Sequence, residues 1–282
     1  LTMGHSLKTA AWYYPRSVFA TLGLFWLVIE PIIGLTGKSI NLTYWQLFGW
    51  SAAFGIIWLI VDGIYFSGFL KQSIEIKSNG FDTRIVIKFG DIFHEDGWRA
   101  IAVNDFFDSI VDDRFVSSKS LHGILLQKYW AGNTDDWNLQ VDEQLTGTAC
   151  SSETRNGGKQ SRYAIGATVA VKKDGNKFLC VALSRTDISN QETKASSSDL
   201  HQAVRGLLRK ARSVCGNEAL SIPLMGSGLS RVGIKNNILV DLILTAIFEE
   251  TKNNKVTSEI IIVLPKEKAA EIDLASLQKD WS

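Results

Sequence analysis

Two short segments and one pair of carboxylates in this 282-residue chain carry residue types and spacings suited to chemistry. The first is Pro223-Leu224-Met225-Gly226-Ser227-Gly228-Leu229-Ser230-Arg231, placed after an apolar run and before a helical pattern that starts near Asn236. Gly226 and Gly228 bracket Ser227, and glycine lets the backbone turn its amide N–H groups toward a phosphate. Met225, Gly226, Ser227, Gly228 and Leu229 are therefore a candidate anion-binding nest. No Lys-Ser or Lys-Thr pair closes the loop, so it is not a nucleoside-triphosphate P-loop. By itself such a turn reads more readily as a plain strand-to-helix connection. The second segment, Phe89 to Ser109, runs through Gly90-Asp91-Ile92 and a further apolar stretch into Val103-Asn104-Asp105-Phe106. A carboxylate such as Asp91 suits an exocyclic amine because it accepts hydrogen bonds from N–H donors; the alternative is an ordinary turn residue. The third feature is a pair of carboxylates, Glu30 and Asp62, set in long apolar runs.

The elements that must position these residues follow from periodicity. Beyond Lys71, Ser73–Ser78 and Arg84–Gly90 alternate apolar and polar side chains and read as strands joined by a turn at Asn79-Gly80. Tyr163–Val171, Phe178–Ser184, Ala219–Gly226 and Glu259–Pro265 read as further strands, the first two joined through Asp174-Gly175. Helical patterns cover Asp199–Cys215, capped by Ser198 or Asp199, and Asn236–Asn253. Strands alternating with helices predict an α/β layered sheet whose ligands bind at loops leaving the strand ends. Leu121–Gly158 lacks clear periodicity and reads as loop.

The N-terminal region follows another rule. Before Lys71 the charged side chains are Lys8, Arg16, Glu30, Lys38 and Asp62. Ser17–Leu35 and Tyr44–Leu70 are nearly all apolar, show no polar stripe, and are long enough as helices for a bilayer core of ~30 Å. This predicts a transmembrane hairpin over residues 1–71, with helices about 17–35 and 44–70, and one globular domain over 72–282. Trp12, Tyr13, Tyr14, Tyr44, Trp45, Tyr65 and Phe66 stand near the span ends, at headgroup level, and no small-residue site marks a cleaved signal peptide. Met3 reads as the natural start. Lys8 and Arg16 precede the first span and Lys71 and Lys77 follow the second, whereas Lys38 is alone in the connecting loop, which puts both termini and the globular domain in the cytoplasm. Glu30 and Asp62 either reach headgroups or water at the two interfaces or line a polar path between subunits. Gly49 and Ala53, Ser51 and Gly55, and Gly63 and Ser67 are spaced for close helix contact, within one hairpin or between copies.

Net charge is +1 without a clustered excess of Lys and Arg, so nucleic acid is not an expected partner. Cys150, Cys180 and Cys215 are widely spaced and no histidine completes a ligand set, which argues for a reducing compartment and against a zinc or iron site.

The order of these segments, Gly90-Asp91-Ile92, then Val103-Asn104, then the distant glycine loop, resembles the macro domain over most of Ser73–Pro265, with the motif match confined to two loops. The resemblance implies a macro-like mixed-sheet α/β/α domain. In it Asp91 and Ile92 would read an adenine, Asn104, Asp105 and Phe106 would line the distal ribose, and Met225–Leu229 would hold the diphosphate of an ADP-ribose derivative. Many macro domains continue Val-Asn-Ala-Ala-Asn, whereas this chain has Val103-Asn104-Asp105-Phe106-Phe107-Asp108. That departure removes groups that orient the ribose for hydrolysis and implies a modified terminal group.

A membrane hairpin fused to such a domain resembles the membrane effectors of type II Thoeris anti-phage defence. That family implies a TIR-domain enzyme that makes a histidine-conjugated ADP-ribose and a macro domain that binds this signal without a cofactor. It further implies homo-oligomers that disrupt the bacterial inner membrane and cause abortive infection. Asp105 and Asp108 would meet the ammonium or imidazole of the conjugate, or are solvated loop acids. The leading expectation is thus a sensor and effector with no catalytic residue and no metal. The rival is a membrane-tethered ADP-ribosyl hydrolase or deacetylase in which Asn104, Asp105 or Asp108 positions a water.

Overall fold

The structure, a computed structural model, describes residues 3–37, 43–66, 71–76, 83–131, 133–228, 232–252, 254–269 and 271–281. The expected Asn79-Gly80 turn, the loop lysine Lys38, the pair member Ser67, the flanking Lys77 and the nest residue Leu229 lie outside the described residues. Two units divide the chain, one covering Leu1–Gln72 with Asp273–Lys279, the other Ser73–Ile272 with Asp280–Ser282.

In the first unit, α1 (Met3–Thr36) packs against α2 (Tyr44–Val61), which runs on into a π-helical turn, Asp62–Phe66. Helix α1 begins well before the expected Ser17 and carries Pro15 and Pro31 inside it. Hydropathy detects only the apolar part of a helix, and the stretch from Met3 to Arg16 holds Lys8 and Arg16. Helix α2 is entered through Gln46, whose Oε1 accepts from the Thr43 N–H at 3.0 Å and from its hydroxyl at 2.7 Å. The buried positions Ser51, Gly55 and Gly63 are all small, whereas Gly49 and Ala53 are exposed. Phe19, Trp26 and Leu27 of α1 and Phe48, Trp50, Phe54 and Trp58 of α2 are exposed. Among the described residues one helix, Tyr44–Tyr65 of 22 residues, is long and apolar enough to cross a membrane; Leu22–Thr36 is a shorter apolar stretch.

The second unit is built on a mixed sheet. Its strands are β1 (Ser73–Ile76), β2 (Arg84–Phe89), β3 (Trp98–Asn104), β6 (Thr168–Lys173), β7 (Asn176–Thr186), β9 (Leu220–Pro223) and β10 (Glu259–Leu264), in the order β1-β2-β10-β9-β3-β7-β6. Strands β2, β10, β9, β3 and β7 run parallel to one another, and β1 and β6 close the edges antiparallel. A short β8 (Thr193–Lys194) pairs with the end of β7, and β4 (Cys150–Ser152) and β5 (Ser161–Tyr163) form a separate hairpin. The expected strand Tyr163–Val171 is therefore two. Gly166 at φ 89° turns the chain between β5 and β6 while its N–H donates to the Ala182 carbonyl at 2.9 Å. The β6–β7 connection runs through Asp174 (φ 47°) and Gly175 (φ 78°), the left-handed pair of a tight hairpin.

Helices cover both faces. Along β7, Phe178, Cys180 and Ala182 join the cluster of α3 (Leu121–Tyr129) and α4 (Asp135–Leu145), leaving Leu179, Val181 and Leu183 for the other face, where α5 (Ser197–Val214) packs beside α6 (Asn236–Thr251). The expected loop over Leu121–Gly158 thus contains two helices, whose apolar residues Leu125 and Leu126, and Trp137, Val141 and Leu145, need the sheet to complete their burial. Helix α5 is capped by Ser196 rather than Ser198 or Asp199: Ser196 Oγ accepts from the Asp199 N–H at 3.1 Å, and the Asp199 carboxylate accepts from the Ser196 N–H at 3.0 Å. The last helix, α7, spans Leu274–Trp281. All three cysteines are free.

Helix α5 lies so close to the turn before β6 that a Cβ on Gly206 would stand 2.1 Å from the Gly166 carbonyl oxygen. Gly206→Ala must push helix and sheet apart, and the expected cost is about 2 to 3 kcal/mol. Urea unfolding of the variant is expected to show a lower midpoint with an unchanged slope.

Candidate functional site

The parallel strands end on one side of the sheet, where ligands of α/β folds bind. A cleft of about 310 Å³ opens there. Its wall is formed by the end of β3 (Ala102, Val103, Asn104), the end of β7 (Leu183, Ser184), Pro223–Gly228, Pro265, Phe115–Ser117 and Lys119–His122, with Thr193 of β8. Between β3 and β7 the register slips by one residue: Val103 faces Ala182, but Asn104 faces Ser184. Such a bulge re-aims the side chains at the strand ends.

The glycine loop leaves β9 at the centre of the sheet. Leu224 N–H donates to the Val263 carbonyl at 3.1 Å, and Ser227 Oγ donates to the Leu224 carbonyl at 2.9 Å. Gly226 is held at φ 84°, and a Cβ there would come within 2.7 Å of Val232 Cγ2, so glycine is required twice over. Gly228 differs, since nothing lies within 4 Å of the position its Cβ would take.

Asn104 ends β3 and faces the cleft, fixed from behind. Its Nδ2 donates to Asp108 Oδ2 at 2.9 Å, and its Oδ1 accepts from the Asp108 N–H at 3.1 Å. Asp108 and Arg155 are both completely buried, with Arg155 Nη2 3.0 Å and Nη1 3.1 Å from Asp108 Oδ2. The Arg155 guanidinium lies 3.9 Å from the centre of the Phe106 ring and also donates to the Lys159 carbonyl at 2.8 Å and Gln191 Oε1 at 2.7 Å. Phe107, in the turn between, is forced to φ 54°, a strained conformation for a bulky residue.

The residues singled out by sequence therefore separate into groups. Asn104 and Met225, Gly226, Ser227 and Gly228 meet at the cleft. Asp91 is exposed, caps the short helical turn Ile92–His94 by accepting from the Phe93 N–H at 3.0 Å, and follows a strand whose Phe89 pairs with Leu264, just before Pro265 of the cleft wall. Ile92 belongs to the hydrophobic cluster instead. Asp105 and Phe106 are buried outside the cleft wall. Asp105 accepts from the Thr186 N–H at 3.0 Å and pairs with Arg162 at 3.1 Å; burial raises its carboxyl above the usual range, opposed by Thr186 and Arg162. Asp105 and Asp108 are thus neither solvated loop acids nor open to a ligand's ammonium. In the hairpin, Glu30 is exposed and Asp62 half-buried.

Ser117, Lys119, Ser120 and His122 of the cleft wall escaped the sequence reading because α3 did. A serine followed by apolar Leu121, Leu125 and Leu126 was the available signal. His122 lies against Trp137 with ring centres 5.6 Å apart, its Nε2 is buried without a hydrogen-bond partner, and burial lowers it to about 3, aided by the charge of Lys159. The folded state therefore binds fewer protons than the unfolded chain below pH ~6.5, so His122 costs stability as pH falls from ~6.5 toward 3. His122→Asn is expected to flatten the acid limb of the stability curve by up to ~1.4 kcal/mol per pH unit in that window, read by urea melts at successive pH values. Arg155→Ala leaves Asp108 buried and unpaired, an expected loss of about 3 to 5 kcal/mol; an Asp108→Leu/Arg155→Met double variant is expected to recover most of it in the same melts.

The matched family model is that of Thoeris protein ThsA, Macro domain, and it covers residues 85–265, which include every residue singled out between Asp91 and Leu229. The Thoeris protein ThsA of Bacillus amyloliquefaciens (strain Y2) is 28% identical over 171 residues, 57% of this chain and 53% of that protein. The chain thus matches about half the length of this curated relative. The Oceanobacillus iheyensis macrodomain with ADP superposes with a TM-score of 0.51 at 15% identity, covering 74% of this chain and 97% of that one. A point variant of the same macrodomain gives 0.50 at 15% identity, over 74% of this chain and 100% of that one. The fold of the second unit is that of a macro domain, and the chain belongs to the macro-domain family of Thoeris protein ThsA.

Proposed function

We propose that this protein is a membrane-anchored sensor and effector of anti-phage defence whose macro domain binds an ADP-ribose-type signal. The observation that carries the reading is the convergence of Asn104 and Met225–Gly228 on one cleft at the parallel strand ends. In this reading the glycine-loop amides hold the diphosphate, Asn104 faces the distal sugar, and Asp91 lies toward the adenine end. Signal binding rather than turnover is the reading that agrees with Asp105 and Asp108, the acids that could position a water, each being buried and held by an arginine. The histidine-conjugated form, made by a partner TIR-domain enzyme, is the proposed natural ligand. Its ammonium meets neither Asp105 nor Asp108, because arginines already hold both.

Anchoring is supported by the first unit, which buries small residues and exposes large apolar ones. A 22-residue helix spans roughly 33 Å, enough for a bilayer core of ~30 Å. The proposed location is the bacterial inner membrane, with both termini and the macro domain in the cytoplasm. Ligand acts by preferring an assembled state, and assembly of the hairpins disrupts the bilayer.

Full-length protein in dye-loaded vesicles of phosphatidylethanolamine and phosphatidylglycerol tests this directly. Histidine-conjugated ADP-ribose is expected to enlarge the oligomer and release dye. Gly228→Glu, whose side chain enters open space, is expected to fold normally, bind at least about 100-fold more weakly and release none. Tight binding with no change in oligomer size or leakage would refute the effector reading.

A further inference from the structure

Among the described residues, the cleft wall carries one formally charged side chain, Lys119. The other titratable group there, His122, is kept neutral by burial. Lys119 is presented by a segment fixed on both sides. Asp113 Oδ1 accepts from the Ser118 N–H at 2.7 Å, the Ser118 hydroxyl at 2.9 Å and the Ser117 hydroxyl at 3.2 Å. After it, Ser120 Oγ caps α3 by accepting from the Gly123 N–H at 3.0 Å, and a Cβ on Gly123 would stand 2.1 Å from the Ser117 carbonyl oxygen. Between these anchors the Lys119 side chain is exposed, and among the described residues no carboxylate stands within ion-pair distance of its ammonium. Asp113 feels its charge only as the weakest of several influences, since serine donors occupy that carboxylate.

Lys119 also precedes the opening of α3, where the first amides have no intrahelical acceptor and the helix dipole favours negative charge. The unpartnered, buried Nε2 of His122 lies in the same turn. A cation, a helix N-terminus and a neutral imidazole on one wall, with the glycine loop on another, suit a group that is anionic at its centre and uncharged beside it. We infer that Lys119 is the counter-charge of the ligand's diphosphate, which is held between the glycine loop and the opening turn of α3. This rests on the nucleotide reading of the cleft and adds to it the residue that makes binding depend on the phosphate charge. One cation beside a glycine loop matches a diphosphate, and a ligand without phosphate gains nothing from Lys119.

The experiment is calorimetric titration of the detergent-solubilised full chain with ADP-ribose and with adenosine at low and high salt, using wild type, Lys119→Ala and Lys119→Arg. A charge-assisted contact predicts that Lys119→Ala weakens ADP-ribose by about 10- to 100-fold at low salt and removes most of the salt dependence. Adenosine affinity is expected to stay unchanged, and Lys119→Arg to remain within about threefold of wild type for ADP-ribose. Equal ADP-ribose affinity in wild type and Lys119→Ala at both salts overturns the inference while leaving the nucleotide reading standing. Parallel loss of adenosine binding also overturns it, because the residue would then act through structure rather than charge. A wild-type protein that binds neither compound overturns the nucleotide reading and this inference together.

Discussion

The buried ion pair between Asp108 and Arg155 is the contact on which the geometry of the cleft depends. Taking both charges out of water costs roughly what their attraction returns, so the pair adds little net stability. What it adds is position. Asp108 can face Arg155 only if the chain reverses after Asn104, and that reversal holds Phe107 at φ 54° and buries Phe106 under the guanidinium. The same carboxylate then fixes both ends of the Asn104 amide. A residue at a strand end that would otherwise sample several rotamers is left with one.

A second constraint comes from the sheet. Parallel strands place their carboxyl ends on a common edge, and the slip between Val103 and Asn104 lets β7 present Leu183 and Ser184 to the same cleft. Gly226 then has to be glycine because Val232 occupies the space a side chain would need, whereas Gly228 borders open space. The two glycines of one short motif thus serve different ends: one shapes the loop, the other keeps the cleft clear.

The first unit obeys the opposite packing logic. Water-soluble helices bury their large apolar side chains, but here Ser51, Gly55 and Gly63 are inside and the tryptophans Trp26, Trp50 and Trp58 outside. An exterior of that kind is stable against an apolar partner and not against water. This is why hydropathy finds the helix Tyr44–Tyr65 readily yet misses the start of α1, whose first residues are neither apolar enough nor patterned enough to be detected.

Local periodicity and backbone chemistry were readable from the sequence alone. The alternations of β2, β7 and β10, the Asp174-Gly175 hairpin, the long face of α5, the apolar N-terminal runs and the glycine loop each depend on neighbours in sequence. Short helices were not readable, because three turns of α3 or α4 acquire a buried face only when β3 and β6 lie beneath them. Nor were the fates of the acids. Asp105 and Asp108 stand in a segment that reads as an exposed acidic loop, and only the fold brings Arg162 and Arg155 to them from about fifty residues away. Local sequence determined which segments could turn, pair or coil. The tertiary structure decided that Asp105 and Asp108 were paired and that Lys119 stood beside the cleft, because electrostatic partners are chosen by distance in space and not by distance along the chain.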